Sequence, residues 1–168
     1  MTMGYIMYTQ TDVQVSTKEN MPFYVWRIGD GLSFHSVDQA PLHPIKNNLP
    51  YPKWMNDYII ETPEGYSCLF TNPMHNPNNI FTIMPGVVDT DKYKLKVNFP
   101  FVLNDPNWRG IIPAGTPLVQ VIPFKRDSWK SVFGSKKDID YYLKYEKRGY
   151  IKFFNNYKLS FWNKKDYK

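Results

Sequence analysis

Short apolar stretches recur along this chain at the spacing of β-strands. Residues 5–8 (YIMY) and 22–28 (PFYVWRI) are aromatic and β-branched runs bounded by polar residues, which is typical of strands. The next run, 32–37 (LSFHSV), alternates between apolar and polar positions, so Leu32 and Phe34 are expected on the same face. The N-terminal part is therefore predicted to be β-structure.

A hairpin is predicted in the middle of the chain. Residues 58–62 (YIIET) and 66–71 (YSCLFT) are strand patterns that flank Pro63-Glu64-Gly65, where proline and glycine occupy positions that tight turns favour. Residues 72–79 (NPMHNPNN) have no periodicity and are predicted to be a loop, a common place for binding residues. The proline-rich stretch 41–52 is expected at the surface or at a sheet edge, because proline lacks the N–H of a central strand.

Further strands are predicted before and after a tight turn at Gly115, at residues 80–84, 94–97, 99–103 and 118–123. No helical periodicity interrupts the chain from Ile59 to Phe124. An aromatic content of 17% and 14 prolines suit short strands joined by many turns. We therefore predict a mainly β fold, either a compact barrel or a sandwich.

The C-terminal part has a different pattern. Asp138 is expected to cap a helix that runs to about Arg148 and stops at Gly149. Four apolar side chains are expected on or near one face of this helix: Ile139, Tyr142, Leu143 and Tyr145. The residues beyond it interleave aromatics with lysines and are predicted to be a final strand or an extended arm. We therefore expect a β-rich core domain at 1–126 and a basic aromatic helix and arm at 127–168.

The net charge of +6 is concentrated in the C-terminal segment. Residues 1–124 contain 8 Lys and Arg against 10 Asp and Glu, whereas residues 125–168 contain 13 against 5. Such a basic segment favours an acidic partner surface or nucleic-acid phosphates. No apolar run approaches the roughly 20 residues that span a bilayer, and residues 1–10 lack a signal-peptide pattern. We therefore expect a soluble protein without a membrane partner.

The residue types argue against several kinds of chemistry. Cys68 is the single cysteine, which excludes an internal disulfide, and His35, His43 and His75 are not spaced as metal ligands. No metal site is predicted. The sequence also lacks a glycine-rich phosphate loop, and Ser67 is not in a nucleophile elbow, so acyl transfer is not expected.

Polar groups at the ends of predicted strands are the candidate site residues. Asp89 and Asp91 would face one side of an extended segment, either as a base or cation site or as part of a solvated turn. Gln120 interrupts an apolar run and would either contact a ligand or tie two backbone segments together. Lys125 and Arg126 would either contact a phosphate or a neighbouring subunit, or form a solvated strand end.

Three short patterns follow one another in the middle of the chain: Pro63-Glu64-Gly65-Tyr66, Gly86-Val87-Val88-Asp89 with Tyr93, and Gly115 with Leu118 and Gln120. In this order, over about 65 residues, they resemble the deoxyuridine triphosphatase and deoxycytidine triphosphate deaminase superfamily. The resemblance implies a compact β-clip barrel, usually trimeric, with Asp89 activating water and Tyr93 beneath the sugar. The implied ligand-binding candidates are Tyr66, Asn72, His75, Tyr93 and Gln120.

The chain departs from that superfamily where phosphates would bind. Residues 72–76 (NPMHN) stand in place of an arginine and a serine, and Lys92 adds a residue between Asp89 and Tyr93. A triphosphatase must also hold magnesium, which a single carboxylate does not do. We therefore expect no cofactor. Mg²⁺ would be needed only if the chain acts on nucleotides, in which case Asp89 and Asp91 are the catalytic candidates.

A closer resemblance covers the chain from Trp54 to Arg126. Its matching positions are Trp54, 62–67, 88–91, 98–101, 115–117 and 120–126. This pattern is similar to that of a family of marine tailed-phage proteins. The resemblance implies a phage setting, in the host cytoplasm or the virion, and implies no reaction.

The basic C-terminal segment supplies most of the candidates for partner contact. Its 12 aromatic residues either stack on single-stranded nucleic acid or pack on another protein with the lysines outward. The candidates are Lys125, Arg126, Trp129, Tyr142, Tyr145, Arg148, Phe153 and Trp162.

We therefore expect a non-enzymatic viral assembly or binding module, such as a structural component of the virion. Its partners would be copies of itself, with a trimer favoured, and other viral or host proteins. Two alternatives stay open. One is an enzyme that hydrolyses or deaminates deoxynucleoside triphosphates, and the other is a nucleic-acid-binding protein that uses the basic tail.

Overall fold

The computed structural model describes residues 4–18, 21–26, 31–36, 51–149, 159 and 162–163. Within them the protein is mainly β, as predicted, and its strands form three antiparallel sheets. In chain order the elements are β1 (Tyr5–Tyr8), β2 (Val13–Lys18), β3 (Met21–Trp26), β4 (Leu32–His35), β5 (Tyr51–Trp54), β6 (Tyr66–Thr71), β7 (Phe81–Ile83), β8 (Gly86–Val88), β9 (Phe99–Leu103), β10 (Gly110–Ile112), β11 (Pro117–Lys125) and α1 (Lys136–Gly149). Most of the proline-rich stretch, and Phe153 with most of the predicted arm, lie outside the described residues.

Each sheet contains strands that are distant in sequence. The first has the order β1-β11-β6-β8, the second β10-β2-β3 and the third β4-β5-β9-β7. The long strand β11 lies between β1 and β6, with Gln120 opposite Ile6 on one side and Thr71 on the other. This arrangement places the ends of β6, β8 and β11 close together.

One aromatic-rich core joins the three sheets. Phe101 of β9 is fully buried and stacks on Trp54 of β5 at a centroid distance of 5.4 Å. It also contacts Tyr24 of the second sheet edge-on at 5.9 Å. Phe70 of the first sheet contacts Phe99 of the third at 5.6 Å. Because these rings cross from sheet to sheet, their burial holds the sheets together.

The hairpin predicted at 58–71 is wrong, although its turn is present. Tyr66 N donates to Pro63 O at 3.2 Å, and Gly65 has the positive φ of 82° that glycine readily adopts. Residues 58–62 form no strand, however, and Ile59 makes an isolated bridge with Lys96. Strand β6 pairs with β11 and β8 instead. Long-range pairing therefore overrode the local turn signal.

Several other strands differ from what the local sequence suggests. Residues 94–97 contribute the same isolated bridge and no strand, while β2 and β10 were not predicted as strands. Pro52 lies in β5, which pairs with β4 on one side and with β9 on the other. Only Lys53 and Trp54 pair with β9, so Pro52 lies outside the part of β5 that has a strand on both sides. Leu32 is buried but Phe34 is 55% exposed, because β4 is an edge strand of its sheet.

Helix α1 begins with a capping box rather than at Asp138. Ser135 O accepts from the backbone N–H groups of Asp138 and Ile139 at 3.1 Å each. The Asp138 carboxylate accepts in return from the Ser135 N–H and hydroxyl at 2.7 Å each. Ser135 is therefore the cap and Asp138 its partner three residues on. No helix in the described part of the chain is long and apolar enough to cross a membrane.

The chain divides into two compact units, Met1–Arg126 and Asp127–Lys168. The first contains 10 Lys and Arg against 10 Asp and Glu, and the second 11 against 5. The whole net charge of +6 therefore belongs to the second unit. Its helix α1 leaves apolar side chains exposed: Ile139 at 55%, Tyr142 at 67% and Leu143 at 49%.

We predict that Phe101→Ala lowers the free energy of unfolding by about 3–5 kcal/mol, because it leaves a cavity between the second and third sheets. The matched control is Phe34→Ala, which truncates a 55% exposed ring and should cost less than about 1 kcal/mol. Urea titration followed by circular dichroism measures both. Similar losses in the two variants would contradict the assignment of the core.

Candidate functional site

Arg126 and Asp91 form a two-pronged ion pair at the end of the first sheet. The Arg126 guanidinium donates to Asp91 Oδ1 at 2.8 Å and, through its second amino group, to Asp91 Oδ2. Gly65 N donates to Asp91 Oδ2 at 2.9 Å, and Arg126 N donates to Gly65 O at 2.8 Å. The turn before β6, the turn after β8 and the end of β11 are thereby joined.

Asp89 belongs to the same network but is more exposed. Its Oδ1 accepts from the hydroxyl of the fully buried Ser67 at 2.7 Å and lies 3.2 Å from the Arg126 guanidinium. The guanidinium also donates to Tyr66 O at 2.9 Å and to Ser67 Oγ at 3.0 Å. The Asp89 side chain is 54% exposed, whereas that of Asp91 is 3% exposed. The two carboxylates therefore have different environments.

Arg126 sets the electrostatics of the network. Its hydrogen bonds to the Asp91 carboxylate hold the pKa of Asp91 well below its usual range, against the opposing effect of burial, and the Gly65 N–H acts in the same direction. The Asp91 hydrogen bond in turn raises the pKa of Arg126. Both groups are therefore held in their charged forms. A carboxylate with so low a pKa is a poor proton acceptor at neutral pH.

A turn, rather than an extended segment, brings the two aspartates together. Lys92 N and Tyr93 N donate to Asp89 O at 2.9 and 2.8 Å. Between the aspartates lies the fully buried Thr90, whose hydroxyl is 2.7 Å from that of Thr62. The expected alternation of an extended strand is therefore wrong here. The carboxylates converge because the chain turns around Arg126.

A shallow depression lies beside this network. Its lining residues are Val87, Val88, Asp89, Lys92 and Tyr93. Val87 is 59% exposed on β8, which is an edge strand of its sheet. Tyr93 is 42% exposed. Asp89 and Tyr93 thus border one surface feature, and Tyr66 and Gln120 are not among its lining residues.

Two of the other ligand-binding candidates, Gln120 and Asn72, hydrogen-bond to backbone groups elsewhere. Gln120 is 3% exposed, and its Oε1 accepts from Met74 N at 2.9 Å, which ties β11 to the loop at 72–79. The Asn72 side chain exchanges two hydrogen bonds with the backbone of Ile83, at 2.8 and 3.0 Å. His75 is exposed on the same loop. The structure does not bring these three residues into the Arg126 network.

The partner-contact candidates have different positions. Trp129 is 90% exposed, Tyr142 and Tyr145 are exposed on α1, and Trp162 is half-buried. Arg148 lies in α1, but its side chain and all of Phe153 are outside the described structure. Among the described residues no cluster of three or more His, Cys, Asp or Glu is placed to hold a metal ion.

The pairing of Arg126 with Asp91 is the main feature that sequence reasoning missed. The two residues are 35 positions apart, and neither local periodicity nor spacing links them. Ser67 was set aside as a nucleophile, and its role as a buried donor to Asp89 was not foreseen. The one feature of the sequence that could have indicated this network is the basic pair Lys125-Arg126, at the end of the strand that carries Gln120.

We predict that Asp91→Asn lowers Tm by on the order of 5 °C, because the substitution removes the charge that pairs with Arg126. Asp89→Asn is the control, with an expected change below about 2 °C because that side chain is half exposed. The folded-state pKa of Asp91 is depressed, so its stabilising effect is complete above the ordinary carboxyl pKa of about 4 and is lost as pH falls further. The Tm difference between wild type and Asp91→Asn should therefore be constant from about pH 5 to 8 and shrink below about pH 4. Calorimetry across that range checks both expectations, and a difference that grows in acid would refute the assigned role.

Comparisons with known proteins leave the site to be interpreted from its own geometry. No protein-family model, curated protein or solved structure matches this chain. The two resemblances noted in the sequence therefore stay predictions. What the geometry establishes is a buried carboxylate, a half-exposed carboxylate and a serine hydroxyl around one guanidinium.

Proposed function

We propose that this protein is a non-enzymatic viral assembly or binding module, built into the virion as a structural component. The observation that carries this proposal is the ion pair between Asp91 and Arg126. Both oxygens of Asp91, one of the two candidate catalytic carboxylates, accept hydrogen bonds in this arrangement. These bonds hold three backbone segments together. Asp91 and Arg126, whose contact shifts the pKa of both groups, thus have a structural role.

The second unit supplies the contact surface in this proposal. Helix α1 exposes Ile139, Tyr142 and Leu143 along one strip, and residues 127–168 carry the entire net charge. The first unit is neutral overall, so charge complementarity favours an acidic surface on another virion protein as the partner. An amphipathic helix of this kind packs its apolar strip into a groove on the partner, with lysines at the rim.

The finer features come from the resemblances. We propose a barrel or sandwich of the β-clip type for the β-rich unit, its assembly as a homo-oligomer with a trimer favoured, and residence in the virion or the host cytoplasm. Three sheets around one aromatic core support a compact β architecture. Closed symmetry is the usual outcome for such oligomers.

We predict that Leu143→Glu reduces incorporation of the protein into virus particles about tenfold, because a carboxylate in an apolar contact costs at least about 1.4 kcal/mol. Val87→Glu places the same charge on an exposed apolar position of the first unit and serves as the matched control. Quantitative mass spectrometry of purified particles of the encoding virus measures both variants. Absence of the wild-type chain from the particles, or equal incorporation of the two variants, would overturn the proposal.

Deoxynucleotide chemistry is the second candidate, because Asp89 and Tyr93 border one depression. The residues present do not suit a magnesium triphosphate, since the Asp91 oxygens accept from Arg126 and Gly65 and leave Asp89 as the accessible carboxylate of the network. Incubation with deoxynucleoside triphosphates and Mg²⁺ should release neither pyrophosphate nor ammonia. Release that Asp89→Asn abolishes would establish this alternative instead.

Nucleic-acid binding through residues 127–168 predicts a different salt response. Affinity for a single-stranded oligothymidylate would fall steeply with salt as counterions are released. Leu143→Glu would then weaken binding no more than a charge change elsewhere on α1. That outcome would favour the nucleic-acid alternative over a protein partner.

A further inference from the structure

The second unit begins with an exposed segment that precedes helix α1. Residues 127–135 all lie at the surface and outside the strands and α1, which starts at Lys136. Three apolar side chains in this segment are among the most exposed in the described structure: Trp129 at 90%, Val132 at 78% and Phe133 at 107%. Both the backbone and the largest side chains of the segment are therefore accessible to another protein.

The composition of this segment differs from that of an ordinary flexible connection. Such connections are rich in glycine and serine, whereas residues 127–135 (DSWKSVFGS) include three large apolar side chains. Exposed apolar surface of this size is typical of contact sites, and tryptophan gains most when a partner buries it. The segment therefore suits a protein that binds extended chains and has an apolar pocket for one side chain.

Folded structure bounds the segment at both ends. Before it, Arg126 is paired with Asp91, and its N–H donates to Gly65 O at 2.8 Å. After it, the Ser135 N–H and hydroxyl donate to the Asp138 carboxylate at 2.7 Å each. Exposed segments outside regular structure are the preferred sites of proteolytic cleavage. Residues 127–134 can enter a protease without disrupting the Arg126 ion pair or the start of α1.

The position of Trp129 selects one peptide bond in the segment. A protease that binds an extended chain contacts several residues on each side of the bond that it cleaves, and the chain around the bond from Trp129 to Lys130 is exposed in both directions. Phe133 is equally exposed, but the residues that follow it form the capping box at Ser135 and the first turn of α1. Cleavage after Phe133 would therefore require the start of the helix to open.

We propose that residues 127–134 are a processing site, at which an endoprotease with an apolar specificity pocket cleaves the bond after Trp129. One water is consumed. Its oxygen completes a carboxylate on Trp129, the C–N bond breaks, and its two hydrogens convert the Lys130 nitrogen into an ammonium group.

Cleavage at this bond separates the charge of the chain from its β-rich unit. Residues 1–129 contain 10 Lys and Arg against 11 Asp and Glu, whereas residues 130–168 contain 11 against 4. Any partner held by the basic segment would thereby lose its connection to the nearly neutral β-rich unit. The site does not depend on which partner α1 binds, so it stands or falls separately from the proposed function.

The first test is the state of the chain in its natural source. Cells are lysed in denaturant, so that cleavage after lysis is prevented, and amino termini are labelled before mass spectrometry. We expect a new amino terminus at Lys130 and a new carboxyl terminus at Trp129. Recovery of the intact chain alone would overturn the proposal, whether or not the protein is found in virus particles.

The second test is brief digestion of the full chain with chymotrypsin, whose pocket accepts aromatic side chains. We expect the first cut after Trp129. Trp129→Ala should slow this cut at least about tenfold, because the pocket loses its ring, and Lys130→Pro should block it, because proline lacks the N–H and constrains the backbone. Phe34→Ala truncates a 55% exposed ring within β4 and should leave the rate unchanged. The Tm of each variant checks its folding.

Three further outcomes would overturn the proposal. They are a first chymotryptic cut after Phe133 or within α1, equal cleavage rates in Trp129→Ala and Phe34→Ala, and a natural amino terminus at Ser131 in place of Lys130. The last would identify a protease that is specific for lysine instead of an aromatic side chain.

Discussion

The ion pair between Asp91 and Arg126 fixes the conformation of the end of the first sheet. A carboxylate that is 3% exposed is costly without a partner, and here Arg126 and the Gly65 N–H supply the partners. Because Arg126 N also donates to Gly65 O, the pair and the backbone form one closed set of contacts. The positive φ at Gly65 and the turn that follows Asp89 both belong to this arrangement.

This constraint also limits the chemistry that the neighbouring residues can perform. A general base needs an accessible carboxylate with a pKa near the working pH, and Asp91 has neither property. Asp89 is accessible, but its Oδ1 already accepts from Ser67 and faces the guanidinium. The hydrogen bonds of Asp91 and Arg126 therefore make this polar network part of the scaffold.

The sequence predicts the local features of this fold better than its pairing. Strands such as β9 and β11 are evident because apolar and β-branched residues cluster there, and the turns at Gly65 and Gly115 follow from residues that adopt positive φ. The partner of β6 was mispredicted, since a good turn does not decide which strand lies alongside. Convergence of Asp89 and Asp91 on Arg126 depends on that pairing, so it could not be derived from spacing.

The two units differ in the forces through which they can recognise other molecules. Residues 127–168 carry all of the net charge, so their contacts gain from long-range attraction that salt screens beyond a Debye length of about 8 Å at physiological ionic strength. The first unit has no net charge, so it contributes little to such long-range attraction. Salt should therefore weaken contacts made by the second unit more than contacts made by the first.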